Sequence, residues 1–279
     1  MTDAVGPGPE DVEPRTAPDP RPTSRAGGLR AAVRGARTFS HGWWAWTSDY
    51  AYVTWRQLRG VVAPGDAARY ASGDRVPVLL LPGIYETWFF LDPLARVLHE
   101  AGHPVHTVPG LGHTLASLDD SSRLVAERLA ELGLDRVVLV AHSKGGLIGK
   151  HLMSAAPVPT EIAGMVAVNT PFAGSRYATY FPARSVRALS PRFPAMRALA
   201  LQRAAHSRIV SVYGLFDPHV PGGSELAGAT NVRLPVMGHF RTVAHPAVQG
   251  AVLEHVEHLG RLAPGPQPRP GPVGDDAAT

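Results

Sequence analysis

From residue 76 onward, short apolar stretches alternate with longer amphipathic stretches, and this alternation constrains the fold more than any other feature. Each apolar stretch has the length and β-branched composition of a buried strand, and most of the intervening stretches repeat apolar residues at helical spacing. Strands that alternate with helices form a mainly parallel sheet covered on both faces. The predicted strands are VPVLLL (76–81), PVHTV (104–108), VVLVA (137–141), GMVAV (164–168), RIVSVY (208–213) and NVRLPV (231–236). We therefore predict an α/β fold with a compact sheet of about six strands.

The two ends of the chain differ from this central domain, residues 76–261, in composition. Residues 1–28 and 262–279 are rich in proline and glycine and lack apolar periodicity, so we expect disordered tails. Residues 29–75 hold four of the five tryptophans and are predicted to be helical. Their aromatic stripe can pack onto the domain, or, with its neighbouring arginines, anchor the chain at a membrane interface.

Composition excludes several classes of protein. The chain has no cysteine, which excludes disulfides, thiolate catalysis and cysteine-ligated metals. Its net charge of +4 is modest, so we expect no nucleic-acid partner. It shows neither a basic stretch followed by an apolar leader nor a run of roughly 18 apolar residues. We therefore predict a cytoplasmic protein without a signal peptide or transmembrane helix.

The stretch VVLVAHSKGGLIGK, residues 137–150, places Ser143 between a predicted strand and a predicted helix. Such a serine can simply cap the helix. It can also be a nucleophile on a tight strand-to-helix turn, and that turn needs small residues two positions either side of the serine. Ala141 and Gly145 meet this steric demand. The pattern therefore favours a nucleophile.

A nucleophilic serine needs a base, and the base needs an acid that orients it. Asp217 follows the strand RIVSVY in GLFDPHVPG, and His239 follows the strand NVRLPV in MGHF. The carboxyl ends of parallel strands meet at one edge of a sheet, so the three side chains are expected to converge there. The predicted set is Ser143, Asp217 and His239.

Other polar residues compete for these roles. His245 is an alternative base, although it lies nearer the last predicted helix than the strand end. His142 is a poor partner for the adjacent serine, because neighbouring strand residues point to opposite faces. His219 is expected to brace the loop of the acid, and Asp119 and Asp120 to cap the helix that follows them.

An anionic intermediate would need two backbone N–H donors. One is expected from Lys144, the residue after the serine. The other is expected from Ile84, in the loop after the first predicted strand, where Gly83 allows close approach of the backbone.

The segment HEAGH, residues 99–103, formally matches the H-E-x-x-H zinc signature. That signature needs both histidines on one face of a continuous helix. Gly102 and Pro104 end the helix before His103 can join that face. We therefore predict no metal site.

Five short blocks resemble the bacterial lipase and esterase members of the α/β-hydrolase fold: PGIYETW, AHSKGGL, NTPFAGS, DPHVP and GHF. The resemblance covers about residues 76–260 and implies a serine hydrolase of carboxylic esters that needs no cofactor. It assigns Ser143 as nucleophile, Asp217 as acid and His239 as base. Two departures are Ala141 at the first elbow glycine and Pro82-Gly83 where many relatives have His-Gly.

The resemblance also bears on the edges of the domain. The sheet would begin at the family's third strand, and residues 29–60 would cover the edge where the first two would lie. Residues 169–207 would form a helical lid. Candidate substrate or lid contacts are Tyr85, Phe172, Tyr180 and Phe181.

The predicted lid is basic and aromatic. No Asp or Glu occurs from Ile162 to Phe216, whereas the same stretch contains seven arginines. This pattern suits an acyl chain with an anionic headgroup, or contact with an anionic membrane surface. The alternative is a solvated face whose arginines pair with acids elsewhere.

Three functions fit the sequence. The first is a lipase or esterase acting on an ester or lipid substrate. The second is an acyltransferase that uses the same three residues with an alcohol acceptor. The third is an inactive interaction protein with a hydrolase fold, which a complete set of Ser143, Asp217 and His239 disfavours.

Overall fold

The structure is a computed structural model that describes residues 47, 49, 51–55, 65–154 and 158–262. The chain divides into two compact units, 1–41 and 42–279, and all described residues belong to the second. The predictions for residues 1–28, for nearly all of 262–279 and for most of 29–64 lie outside the described residues.

Six strands form one sheet in the spatial order β2-β1-β3-β4-β5-β6, and every neighbouring pair is parallel. The predicted mainly parallel sheet of about six strands is confirmed. The strands are β1 (Val78–Leu81), β2 (Val105–His106), β3 (Arg136–His142), β4 (Glu161–Val168), β5 (Ile209–Phe216) and β6 (Thr230–Met237).

Helices cover both faces of the sheet, as predicted. Side chains alternate along β1, so Leu79 and Leu81 join one apolar cluster while Val78 and Leu80 join the other. The α-helices are α1 (Asp92–Glu100), α2 (Leu118–Leu132), α3 (Lys144–Ser154), α4 (Arg184–Arg187), α5 (Pro194–Leu201) and α6 (Pro246–Arg261). Single 3₁₀ turns are Ala67–Tyr70, Trp88–Leu91, Pro109–Leu111, Tyr177–Tyr180, His206–Arg208 and Arg241–Ala244.

Element boundaries differ from the predictions in ways that matter for function. β5 continues to Phe216, beyond the predicted end at residue 213. Asp217 is therefore the first residue of the loop that follows the strand. β2 has only two residues, because it pairs with β1 alone and Pro109 begins a 3₁₀ turn soon after it. The cap of α2 is Ser117, whose hydroxyl accepts a hydrogen bond from the amide of Asp120 at 3.1 Å. Asp119 and Asp120 lie in the first turn instead, where negative charge favours the helix dipole.

The long connection between β4 and β5 is largely helical. It contains the 3₁₀ turn Tyr177–Tyr180 and the helices α4 and α5. Across the described residues, no helix combines the length and the apolar character that crossing a bilayer would require.

Candidate active site

Ser143 lies on a strained turn between β3 and α3. Its φ is +50°, a left-handed conformation that non-glycine residues seldom adopt. A Cβ added to Gly145 would lie 2.0 Å from the carbonyl oxygen of Leu81, so only glycine fits at this position. Ala141 is fully buried beside Leu81 in the sheet. The predicted elbow geometry is therefore present with alanine at its first small position.

Ser143, His239 and Asp217 form one hydrogen-bonded chain. His239 Nε2 lies 3.0 Å from Ser143 Oγ, and His239 Nδ1 lies 2.6 Å from Asp217 Oδ2. All three side chains are buried. Strands β3, β5 and β6 bring them together, because each strand ends at the same edge of the sheet.

The second carboxylate oxygen of Asp217 is held by its own loop. Oδ1 accepts hydrogen bonds from the amides of His219 at 2.8 Å and Val220 at 3.0 Å. Burial alone would raise the pKa of Asp217, but the interaction with His239 and these two amides outweighs it and lowers the pKa. The carboxylate therefore stays ionised beside the histidine.

His239 is poised to accept a proton. Burial tends to lower its pKa, but the charge and hydrogen bond of Asp217, together with the charges of Glu86 and Asp49, raise the pKa above its ordinary value. The bond to Asp217 places the proton of neutral His239 on Nδ1, which leaves Nε2 free to accept from the serine hydroxyl.

The alternative histidines have other positions. His245 is exposed and caps α6, with Nδ1 accepting from the amide of Ala247 at 3.2 Å. His219 lies near the site, with its ring centre 5.1 Å from that of His239. Burial lowers the pKa of His219 to about 4, so it is neutral near pH 7.

The two expected amide donors flank the serine. Ile84 and Ser143 line the same cavity, and the Ile84 amide has no hydrogen-bond acceptor within the described part of the chain. The next residue, Tyr85, has a φ of +61°, and its amide donates to the carbonyl of His113 at 2.8 Å. This bond fixes the turn that carries Ile84.

Lys144 supports the same region with its side chain. The buried ammonium donates to the carbonyls of Thr114 at 2.8 Å and Ala116 at 2.6 Å. Burial lowers the pKa of Lys144 to about 8. These contacts tie the start of α3 to the loop that receives Tyr85.

The mouth of the site is a mainly apolar cavity of about 260 Å³. Its wall includes Ser143, His239, Ile84, Phe181 and Val186, and further Pro171, Ser175, Tyr177, Ala178, Leu189, Pro218, His219, Val220 and Phe240. The serine hydroxyl thus meets apolar space that a small acyl group could enter.

The four predicted substrate contacts lie in different environments. Phe181 lines the cavity, as expected for a substrate contact. Phe172 does not, because it is buried in the core on one face of the sheet. Tyr180 is 85% exposed and Tyr85 is 42% exposed, and neither lines the cavity.

A family model describing the α/β-hydrolase fold matches residues 76–208. The chain has the α/β-hydrolase fold. The Bacillus licheniformis lipase BlEst2 in its propeptide form aligns with a TM-score of 0.53 and 16% identity, covering 73% of this chain and 56% of that one. A protein of Agrobacterium vitis S4 named as a hydrolase aligns with a TM-score of 0.50 and 15% identity, covering 68% and 90%. A comparison with curated proteins found no match.

The hydrolase fold here includes a buried pair that the sequence analysis missed. His142 Nδ1 lies 2.9 Å from Glu86 Oε2, and His142 Nε2 lies 3.0 Å from the carbonyl oxygen of His239. Glu86 Oε2 also accepts from the amide of Gly83 at 2.6 Å. The His142 ring is therefore held between a carboxylate oxygen on one side and a backbone carbonyl on the other. The pair joins the loop of Ile84 to the loop of His239.

The NTPFAGS block supplies a second set of hydrogen bonds to the loops around the site. The side-chain Nδ2 of Asn169 donates to the carbonyl of His239 at 3.0 Å and to the hydroxyl of Thr242 at 2.8 Å. Ser175 donates to the carbonyl of His219 at 2.7 Å. The block therefore contacts the loops that carry Asp217 and His239, and its resemblance to a family block was the available sequence signal.

Asp49 lies far outside the matched part of the hydrolase fold, yet it reaches the same site. Its carboxylate is fully buried and accepts from three consecutive amides, those of His239 at 2.5 Å, Phe240 at 3.0 Å and Arg241 at 2.9 Å. Gly238 allows this approach, because a Cβ there would lie 2.9 Å from Asp49 Oδ1. No local sequence pattern signals a contact across 190 residues.

Among the described residues, one set of side chains is close enough to share a metal ion: Asp217, His219 and His239, with ligand atoms within 4.8 Å of one another. His239 already contacts Asp217 with one ring nitrogen and Ser143 with the other, which is the arrangement of an acid–base chain. The HEAGH histidines do not form such a set. α1 ends at Glu100, and His103 Nδ1 lies 2.8 Å from the carbonyl oxygen of Val76.

Proposed function

We propose that this protein is a serine hydrolase that cleaves carboxylic esters. The observation that carries the proposal is the hydrogen-bonded chain from Ser143 through His239 to Asp217, which ends in an apolar cavity. The strained backbone of Ser143 adds support, because a positive φ on a non-glycine residue is costly and is found where function requires it.

The proposed reaction starts with proton transfer from Ser143 Oγ to His239 Nε2 as the oxygen attacks the ester carbonyl. The amides of Ile84 and Lys144 would hold the negative oxygen of the tetrahedral intermediate. His239 then returns the proton to the leaving alcohol, and an acyl-enzyme on Ser143 remains. Water, deprotonated by His239, releases the acid and restores the serine.

The character of the cavity supports an apolar acyl group as the part bound beside Ser143. The cavity that Ser143 lines also includes Ile84, Val186 and Leu189, together with aromatic side chains. All steps use groups of the chain and water. The fold shared with the Bacillus licheniformis lipase agrees with an ester or lipid substrate.

Residues 169–207 are proposed to act as the lid. Tyr177, Phe181, Val186 and Leu189 all belong to this connection and all line the cavity. Movement of α4 with its preceding turn would therefore change access to Ser143.

We expect Ser143→Ala to abolish hydrolysis of a soluble p-nitrophenyl ester and labelling by a fluorophosphonate probe. The matched control is Ser207→Ala, because Ser207 is an exposed serine outside the site. Wild type and control should both be labelled at one position, identified by mass spectrometry. Labelling that persists in Ser143→Ala, or an unlabelled but folded wild type, would reject the proposal.

A further inference from the structure

The charge of the chain is distributed unevenly. The stretch from Ile162 to Phe216, here called the arginine segment, contains seven arginines and no lysine, aspartate or glutamate. The segment has a charge of +7, and the whole chain has a net charge of +4. The remainder of the chain therefore has a net charge of −3. The arginine segment is therefore a concentrated positive region on an otherwise weakly negative protein.

Most of these positive charges face solvent, and no acidic side chain in the described part of the chain pairs with them. Six of the seven arginines are exposed: Arg176, Arg184, Arg187, Arg192, Arg197 and Arg203. None of the seven forms an ion pair with an acidic group that the structure describes. Arg187 and Arg208 instead donate to the carbonyls of Pro182 and Ile162. The alternative in which these arginines pair with acids elsewhere therefore has no support among the described contacts.

Exposed apolar side chains lie among the charges. Tyr180 and Leu201 are 85% and 83% exposed, and Tyr177 and Phe181 are 59% and 46% exposed. Tyr177 and Phe181 also line the cavity beside Ser143. Arg176, Arg184 and Arg187 each lie within two residues of a cavity-lining side chain, Tyr177 or Val186, so positive charge is close to the cavity lining along the chain.

We propose that the arginine segment docks on the surface of an anionic lipid bilayer, with the cavity mouth turned toward the lipid. Arginine supplies attraction to anionic headgroups, while tyrosine, phenylalanine and leucine enter the interface between headgroups and acyl chains. A nucleic acid would use the charges, but it would gain nothing from exposed Leu201 or from an apolar cavity lined by Tyr177 and Phe181. The proposal concerns binding and does not depend on hydrolysis by Ser143.

Each arginine near an anionic surface strengthens binding about fivefold, so the triple variant Arg176→Gln, Arg184→Gln, Arg187→Gln should bind about a hundredfold more weakly. Binding is measured by cosedimentation with vesicles of phosphatidylcholine alone and of equimolar phosphatidylcholine and phosphatidylglycerol. Wild type should bind the mixed vesicles, bind the neutral ones poorly, and release as salt screens the charges.

The matched control removes the same charge elsewhere, by Arg96→Gln, Arg123→Gln and Arg261→Gln, all exposed on other helices. It should bind mixed vesicles as wild type does. Ser143→Ala should also bind normally, which separates docking from the proposed chemistry. Equal loss in the control triple, equal binding to neutral vesicles, or tighter binding to duplex DNA than to mixed vesicles would each overturn the proposal.

Discussion

His239 is the residue on which the proposed chemistry depends, and its surroundings set the pH at which it can act. Three carboxylates raise its pKa, those of Asp217, Glu86 and Asp49, and together they outweigh the opposing effect of burial. Only the neutral imidazole can take the serine proton. The same charges that orient and stabilise the histidine thus limit its use in acid.

We predict that kcat/KM for a soluble ester falls with a single protonation at a pH above about 6.5, the reference value of histidine. A raised pKa means that His239 gains its proton at a higher pH, so activity is lost earlier as the pH falls. His219 should not contribute, because its pKa is about 4. The measurement is a pH–rate profile of wild type. A limb below pH 6 would contradict the electrostatic description of His239.

At the scale of elements, the helical residues before the domain pack beside the loop that carries His239. Tyr52, in the helical residues 51–55, packs edge-on against Phe90 with ring centres 5.9 Å apart, and Phe90 packs in turn against Phe240. Asp49 holds the amides of the adjoining loop. The segment was predicted to pack on the domain or to anchor the chain at a membrane interface. Its described part contacts the loop of the proposed base. The prediction that residues 29–60 cover the outer edge of β2 concerns a range that falls mostly outside the described residues.

We predict that Asp49→Asn lowers kcat about tenfold or more, because one of three charge-assisted hydrogen bonds to the His239 loop is lost. It should also move the acid limb of the pH–rate profile to lower pH, since a negative charge that favours protonated His239 is removed.

Asp66→Asn is the control for Asp49→Asn, because Asp66 is an exposed aspartate that likewise accepts from a backbone amide, that of Ala68. Its profile should match wild type. A purely structural role for Asp49 would lower activity without moving the limb, and that outcome would reject the electrostatic part of the prediction.

At the scale of the whole molecule, the cavity is assembled from loops at one edge of the sheet. Ile84 follows β1, Ser143 follows β3, Val186 lies between β4 and β5, and Phe240 follows β6. No single element encloses the space. The volume near the serine, about 260 Å³, is therefore a property of the assembled fold.

We predict that Val186→Phe lowers the ratio of kcat/KM for octanoate over acetate esters about tenfold, because the larger ring fills space that acyl carbons would occupy. Each lost methylene contact is worth about fourfold. Val186→Ala, which enlarges the same space, should leave the ratio unchanged or raise it. Equal ratios in both folded variants would show that acyl chains bind elsewhere.

The sequence by itself determined the layers of the fold and the three residues that meet at its edge. Apolar runs and helical periodicity are local signals, so the six strands could be located, and parallel strands end at one edge, so Ser143, Asp217 and His239 were expected to converge. The elbow was readable because its steric demand falls on neighbours of the serine, here Ala141 and Gly145.

Only the tertiary structure decided which residues support those three. Glu86 meets His142 across 56 positions of the chain and Asp49 meets His239 across 190, and no periodicity relates such pairs. The burial of Phe172 and the exposure of Tyr180 were equally unreadable, since aromatic side chains suit core and surface alike. Residues of the same type have the same local sequence signal, and packing between distant parts of the chain decides which of them are buried or paired. For that reason the supporting contacts were found only in the folded chain.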